Sequence, residues 1–336
     1  MALISSETMF HFERLEAALV SLNGRLERLM PLITIGGMVT GIIFHRTFSP
    51  LKPAVSGLFA FITFSSALAI SPKRFFGALT KTGPILLFLL WANLVMPLLS
   101  FSLGSLLFTD PNLVTGFVLL TAIPTAMAGY IWSGIYHGDE PLSLVLILVS
   151  TFLGPILTPL TVKLLAQKAV AIDTKAMVES LLMMIVLPSL AGILINHAAG
   201  DERTRKVTPS LKPLAKIALF MIVTINVARI APTLLEQATP VYLPVALLSA
   251  FLAFIGYPAV HVIGKIARLP LPERKSLTFA ASMRNISASM VLAINYFPPL
   301  TALPIIFGIV FQQSICAIMA AVLYGPKRKE IPHEQS

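Results

Sequence analysis

The sequence predicts an all-α polytopic membrane protein with ten transmembrane helices, and three observations predict it. The 336 residues are 56% hydrophobic and only 12% charged, with a mean hydropathy of +0.85, whereas soluble domains carry about 25% charged residues. Windows of about 20 apolar residues with few charges recur at 30–45, 51–71, 84–108, 112–135, 141–164, 176–198, 208–231, 241–263, 276–296 and 299–324. When the windows are laid out as alternating spans with the N-terminus inside, eighteen Lys and Arg residues fall on the inner side. Only six fall on the other: Arg46, Lys52, Lys163, Lys168, Lys175 and Arg229. That bias places both termini in the cytoplasm of a multi-pass protein of the cell inner (plasma) membrane.

Residues 1–29 carry Glu7, Glu13, Glu16 and Glu27 and no apolar core behind a basic stretch, so no cleavable signal is expected. Phe12, Leu15, Leu19, Leu22, Leu26 and Leu29 recur at spacings of three and four, which predicts an amphipathic cytoplasmic helix. A short heptad-type contact is the other reading of that stripe, with Gly24 weakening it. The third and last windows are long enough to need tilt, a kink or an extra-membrane turn. The net charge of +10 is scattered over short loops, where lipid headgroups and orientation account for it better than nucleic acid does. Cys316 stands alone, which excludes a disulfide framework and a cysteine metal site.

Ten spans with both ends inside divide into two sets of five, 30–164 and 176–324, followed by a tail at 325–336. Because five is odd, the second set starts from the opposite side, as in an inverted repeat. Such an architecture predicts one interrupted helix at corresponding places in each half, and the fourth and ninth spans fit. The fourth contains Thr121-Ala-Ile-Pro124-Thr125-Ala-Met-Ala-Gly129-Tyr130, in which Pro124 removes a backbone donor. The ninth contains Ser282-Met-Arg284-Asn285-Ile-Ser287-Ala-Ser289, the most polar run in any window.

Of the 25 Lys and Arg residues, Arg284 alone is assigned to neither side and is left inside a span. A guanidinium at bilayer depth costs about 2.5–3.5 kcal/mol by insertion scales unless it is paired or hydrated. All fifteen acidic residues fall in loops, termini or span ends, so its partners are backbone carbonyls, helix C-terminal dipoles or an anionic substrate. A fixed arginine tethering unwound backbone and an anion-binding arginine both remain open. Arginine cannot shuttle protons, and His11, His45, His137, His197, His261 and His333 lie in loops or towards span ends, so no proton carrier is evident. Gln312 and Gln313 interrupt the last span, as Asn93 does the third and Asn226, with Thr224, the seventh. Each reads as interhelical hydrogen bonding or as a substrate contact. Tyr130 reads as an aromatic lining an interior space. No nucleotide loop, zinc motif or glycine fingerprint is present, so neither an enzyme nor an ATP-driven pump is expected, and no cofactor or metal.

The pattern resembles the bile acid:sodium symporter family. Pro124-Thr-Ala-Met-Ala-Gly-Tyr130, Gly138-Asp139, Leu142-Ser143 and Ser150-Thr151-Phe-Leu-Gly-Pro155-Ile-Leu-Thr-Pro159 carry the resemblance, with Met96-Pro97, Met283, Asn285 and Phe311-Gln-Gln-Ser-Ile315. The resemblance implies panel and core domains, fourth and ninth helices that cross where they unwind, and transport by alternating access. It also implies sodium ligands, and most are changed here. The serine-asparagine pair of the fourth helix falls on Gly129 and Tyr130, and the hydroxyls of the fifth on Ser143 and Ile147. The glutamate of the ninth falls on Ala280 and the glutamine four residues later on Arg284, while the third-helix glutamine has only Asn93 nearby.

A sodium-independent carrier of an organic anion or small organic solute is therefore expected, with Arg284 in place of the ion. A steroid, a small carboxylate and a vitamin precursor all suit such a centre. The alternatives are a membrane sensor that keeps the fold without ion coupling, and a sodium symporter with an atypical site. Arsenite exporters rely on a cysteine in the fourth span, and cation/proton antiporters on carboxylates at the crossover; both are missing here.

Overall fold

A computed structural model describes residues 30–68, 70, 80–166, 173–236 and 239–325. The amphipathic stretch at 1–29 and the tail after Gly325 lie outside the described residues. The chain is helical: α1 Met30–Ile43, α2 His45–Phe48, α3 Lys52–Ala67, α4 Thr82–Leu107, α5 Pro111–Ala122, α6 Ala128–Ile135, α7 Glu140–Ala166, α8 Thr174–Ala199, α9 Asp201–Glu236, α10 Tyr242–Ile266, α11 Leu271–Ser282, α12 Ile286–Tyr296 and α13 Ala302–Tyr324. Among the described residues these make ten spans, with α5 and α6 as the fourth and α11 and α12 as the ninth. Six helices (α4, α7, α8, α9, α10 and α13) are long and apolar enough to cross a membrane unaided. Their outer faces carry bare leucines such as Leu86, Leu90 and Leu94, one turn apart on α4, as lipid-facing surfaces do.

The spans sort into two packed bodies. α1, α3, α8 and α9 pack on one another, and α4, α5, α6, α7, α10, α11, α12 and α13 form the second group. A hydrophobic cluster joins the two bodies, with Val55, Phe59, Met177, Leu181, Ile222 and Ile225 from the first meeting Leu119, Ile123, Ile286, Met290 and Ile305 from the second. Gly37 and Gly41 let α1 lie directly on α9, where a Cβ at Gly41 would stand 2.6 Å from the Thr224 carbonyl.

Two long spans each carry a π-turn ahead of a proline. Trp91–Val95 of α4 and Leu182–Val186 of α8 are π-turns, each ending two residues before a proline, Pro97 or Pro188. Proline brings no N–H to the ladder and its ring crowds the preceding turn, and a wider turn accommodates it. The third span, long enough for tilt, a kink or an extra-membrane turn, carries this π-turn within it. The seventh span runs well past its apolar window, as the 36 residues of α9.

Candidate functional site

The two interrupted spans meet at their breaks. α5 ends at Ala122 with Ile123 as its C-cap, and α11 ends at Ser282 with Met283 as its C-cap. The extended segments that follow pair as a short antiparallel bridge between Thr125 and Arg284. Ala126 N–H donates to the Met283 carbonyl and Asn285 N–H to the Pro124 carbonyl, each at 2.9 Å. The Thr125 hydroxyl lies 2.5 and 2.6 Å from the Ala280 and Met283 carbonyls.

Unwinding two helices in an apolar interior frees backbone groups that must be repaired, and side chains from the fifth, ninth and tenth spans repair them. Ser289 donates to the Leu119 carbonyl at 2.7 Å, Thr158 to that of Ala122 at 2.8 Å, and Ser150 accepts from Thr125 N–H at 3.0 Å. Gln312 closes a two-way link with Arg284, accepting from its N–H at 2.9 Å and donating to its carbonyl at 3.0 Å. Ser150, Gly154 and Thr158 repeat every fourth residue, on one face of α7. A Cβ on Gly154 would meet the Pro124 ring at 2.3 Å, so only glycine lets the proline sit there.

The Arg284 side chain is 4% exposed and has no ion-pair partner among the described residues. Its Nη1 donates to the Ile123 carbonyl at 3.3 Å and its Nη2 to that of Ala92, while Nε has no partner. Both carbonyls have a structural reason to be free. Ile123 caps a helix C-terminus, where carbonyls lack intrahelical donors. In the π-turn of α4, Met96 N–H bonds to Trp91 O, so in that register Ala92 O would need the N–H of residue 97, which is proline. The guanidinium thus sits at the C-terminal end of α5, where the helix dipole favours a cation.

The other predicted residues are distributed around this centre. Gly129 packs on α11, where a Cβ would stand 3.1 Å from the Phe279 carbonyl and 3.5 Å from the Ala280 Cα. Ala280 and Ile147 are buried aliphatic positions. Ser143 bonds to Ser133 at 2.8 Å, and Ser133 lies 2.9 Å from Ser276. This buried hydroxyl cluster was not foreseen, although Ser133 and Ser276 are each one helical turn from Gly129 and Ala280. Asn285 caps α12 through the Ala288 N–H at 3.3 Å. Ser287 is half-buried. Ser282 Oγ is buried without a partner against Gly256. Asn93 does not reach the break: it bonds to Leu89 O of its own helix at 3.4 Å, and the third span contributes the neighbouring carbonyl of Ala92 instead. Asn226 is buried with Nδ2 unpartnered on α9. Gln313 accepts from Trp132 at 3.4 Å, and Tyr130 is half-buried against Leu144 and Leu148.

Below the hydroxyl cluster, Lys81 pairs with Asp139, and with Glu273 at 2.8 Å, joining the starts of α4, α7 and α11. Partial burial pulls the Lys81 pKa down, but the hydrogen bonds and charges of Asp139 and Glu273 prevail and hold it above its usual value.

An all-helical membrane bundle with two crossing broken spans is the architecture of a secondary transporter. Comparison with known proteins gives the particular family. Residues 57–237 match the Sodium Bile acid symporter family, and the chain belongs to it. It is 36% identical over 295 residues to the uncharacterized protein YbaS of Bacillus subtilis (strain 168), covering 88% of this chain and 96% of that one. It is 23% identical to the "Uncharacterized sodium-dependent transporter YocS" of the same organism, over 87% and 89% of the two chains. Against "Probable sodium/metabolite cotransporter BASS1, chloroplastic" of Arabidopsis thaliana the identity is 26%, over 89% and 73%. The protein is a multi-pass membrane transporter of small solutes, not an enzyme.

Proposed function

We propose that the protein carries an organic anion by alternating access without sodium, with Arg284 serving as a built-in cation where the family places an ion. One observation carries the proposal: the Arg284 guanidinium bonds carbonyls of two different spans, Ala92 and Ile123, from the base of a third. A bound sodium would hold oxygens of several spans in the same manner. The close packing of Gly129 on the Phe279 carbonyl supports the same reading, because backbone occupies the space that a ligand cage would need. A buried positive charge with no carboxylate beside it favours a negative solute at the crossover. Asn285, which caps α12 beside the break, and Asn226, with an unpartnered amide nitrogen, are the neutral groups assigned to orient that solute. We assign residues 30–164 and 176–324 to the two repeats, both termini to the cytoplasm, and the membrane to the plasma membrane.

The test is uptake and counterflow of organic anions in proteoliposomes with sodium or with choline. Equal flux in both supports the proposal, and strong stimulation by sodium would sink it in favour of a symporter with an atypical site. A second reading, a sensor that binds without transport, is favoured by the dense direct bonding of the break. Binding without exchange-stimulated flux would establish the sensor.

A further inference from the structure

The ninth span runs from one end of the molecule to the other: Glu273, paired with Lys81, stands in the first turn of α11, and Tyr296 closes α12. At the Tyr296 end two hydrogen bonds join the two bodies across their seam. The Tyr296 hydroxyl donates to the carbonyl of Ala176, in the first turn of α8, at 2.9 Å, and Arg229 Nη1 of α9 donates to the Ile294 carbonyl at 3.4 Å. Ile294 lies in the last turn of α12. In helical register its carbonyl would take the N–H of residue 298, but Pro298 has none, and Pro299 follows it. Arg229 therefore caps the C-terminus of α12 from across the seam, where the helix dipole favours a cation. It follows Ile222 and Ile225 by seven and four residues, on the α9 face whose isoleucines join the cluster shared with α12. Tyr296 and Arg229 are both half-buried, so parting the bodies here exposes each partner to water and strands no polar group in an apolar interior. At the Lys81 end the seam holds a smaller apolar cluster, in which Ala67 and Ile70, at and just past the end of α3, meet Leu144 and Leu148 of α7. Apolar contact has no direction, whereas a hydrogen bond to one particular carbonyl fixes one register.

We infer that Arg229 and Tyr296 are positioning residues for transport: they latch the two bodies together at the α12 C-terminus, so that the seam opens first at the Lys81 end and opens at this end only when both bonds break. The latch rests on the alternating access of the proposed function, and neither on its sodium independence nor on its substrate.

The test follows labelling by a charged maleimide of two reporters in the full chain with Cys316→Ala, in nanodiscs, in choline and without solute. Ala293→Cys reports on the cluster that joins the bodies near the latch, and Leu144→Cys on the Lys81 end. Y296F should speed labelling of the first reporter about fivefold and R229M about tenfold, the loss of one hydrogen bond and of one charge-assisted hydrogen bond. Each should slow labelling of the second. R229K, which keeps a cation for the carbonyl, should stay close to the parent. Unchanged labelling of Ala293→Cys in both variants overturns the latch. Faster labelling of both reporters overturns it as well, because a merely structural loss loosens both ends. Hydrogen exchange of Y296F without reporters covers a reporter that fails to fold: faster exchange confined to 290–297 and the start of α8 supports the latch, and faster exchange at 140–148 too overturns it. Sodium-stimulated flux through the unmutated protein would overturn the proposed function and not the latch, whose labelling is read without sodium.

Discussion

Arg284 is a charge without a counter-charge, and its environment explains how it is tolerated. Two carbonyls, one of them at a helix C-terminus, replace the carboxylate that a buried arginine ordinarily seeks. Arg284→Met should therefore destabilise the protein by about 1–3 kcal/mol for each carbonyl left bare, seen as a lower melting temperature in detergent. Arg284→Gln, which can reach one of the two, should lose less. Gln312 is the second residue on which the break depends, because its amide matches both backbone groups of Arg284 at once. Gln312→Leu should cost about 1–3 kcal/mol for each group it strands and reduce flux, whereas Gln313→Leu, which removes one 3.4 Å contact, should be close to neutral. A Gln313 variant as damaging as the Gln312 variant would contradict this assignment. The importance of Arg284 was legible in the sequence, since it is the one basic residue that the orientation assigns to neither side of the membrane. The choice between an arginine that tethers backbone and one that binds an anion was not, because it depends on which carbonyls lie within reach.

At the scale of elements, the fourth span breaks at a proline that the fifth makes room for. Gly154→Ala would bring a Cβ to 2.3 Å from the Pro124 ring, and overpacking of that kind costs about 1–3 kcal/mol. Thermal unfolding and uptake should both fall, and Pro124→Ala in the same chain should restore stability. Lys81 ties three helix starts through two carboxylates. A lysine whose pKa is raised on folding contributes stability that is fully present below its unfolded value, about 10.5, and is lost as pH climbs through the higher folded value. The melting temperature should therefore fall above that pH, and Lys81→Met should remove this part of the fall along with, for a partly exposed pair, up to about 1 kcal/mol at neutral pH. A Lys81→Met variant with the alkaline profile of the parent would contradict the role given to this cluster. Span positions were legible because bilayer thickness sets their length. The Ser150, Gly154 and Thr158 stripe was legible in principle as an i, i+4, i+8 pattern, but what it serves appears only when the fourth span is laid across it.

For the whole molecule, two bodies packed along a seam and two broken spans crossing in one of them are the parts that alternating access needs. Equal transport in sodium and choline is the expected outcome at this scale, and reporter fusions should place both termini in the cytoplasm. Composition, window length and the bias of basic residues determined by themselves a ten-span membrane protein, because water, lipid and the membrane's charge asymmetry act on sequence locally. The paired polar interruptions, with a permanent cation in the ninth span, likewise predicted where the centre of the protein lies. Only the tertiary structure decided what that cation touches. Pro97, far from Arg284 in the chain, leaves the Ala92 carbonyl without a donor by way of a π-turn, and Asn93, the polar residue beside it, bonds within its own helix. Which backbone groups are left unpaired, and which side chains from distant spans come close enough to pair them, follows from how the helices pack.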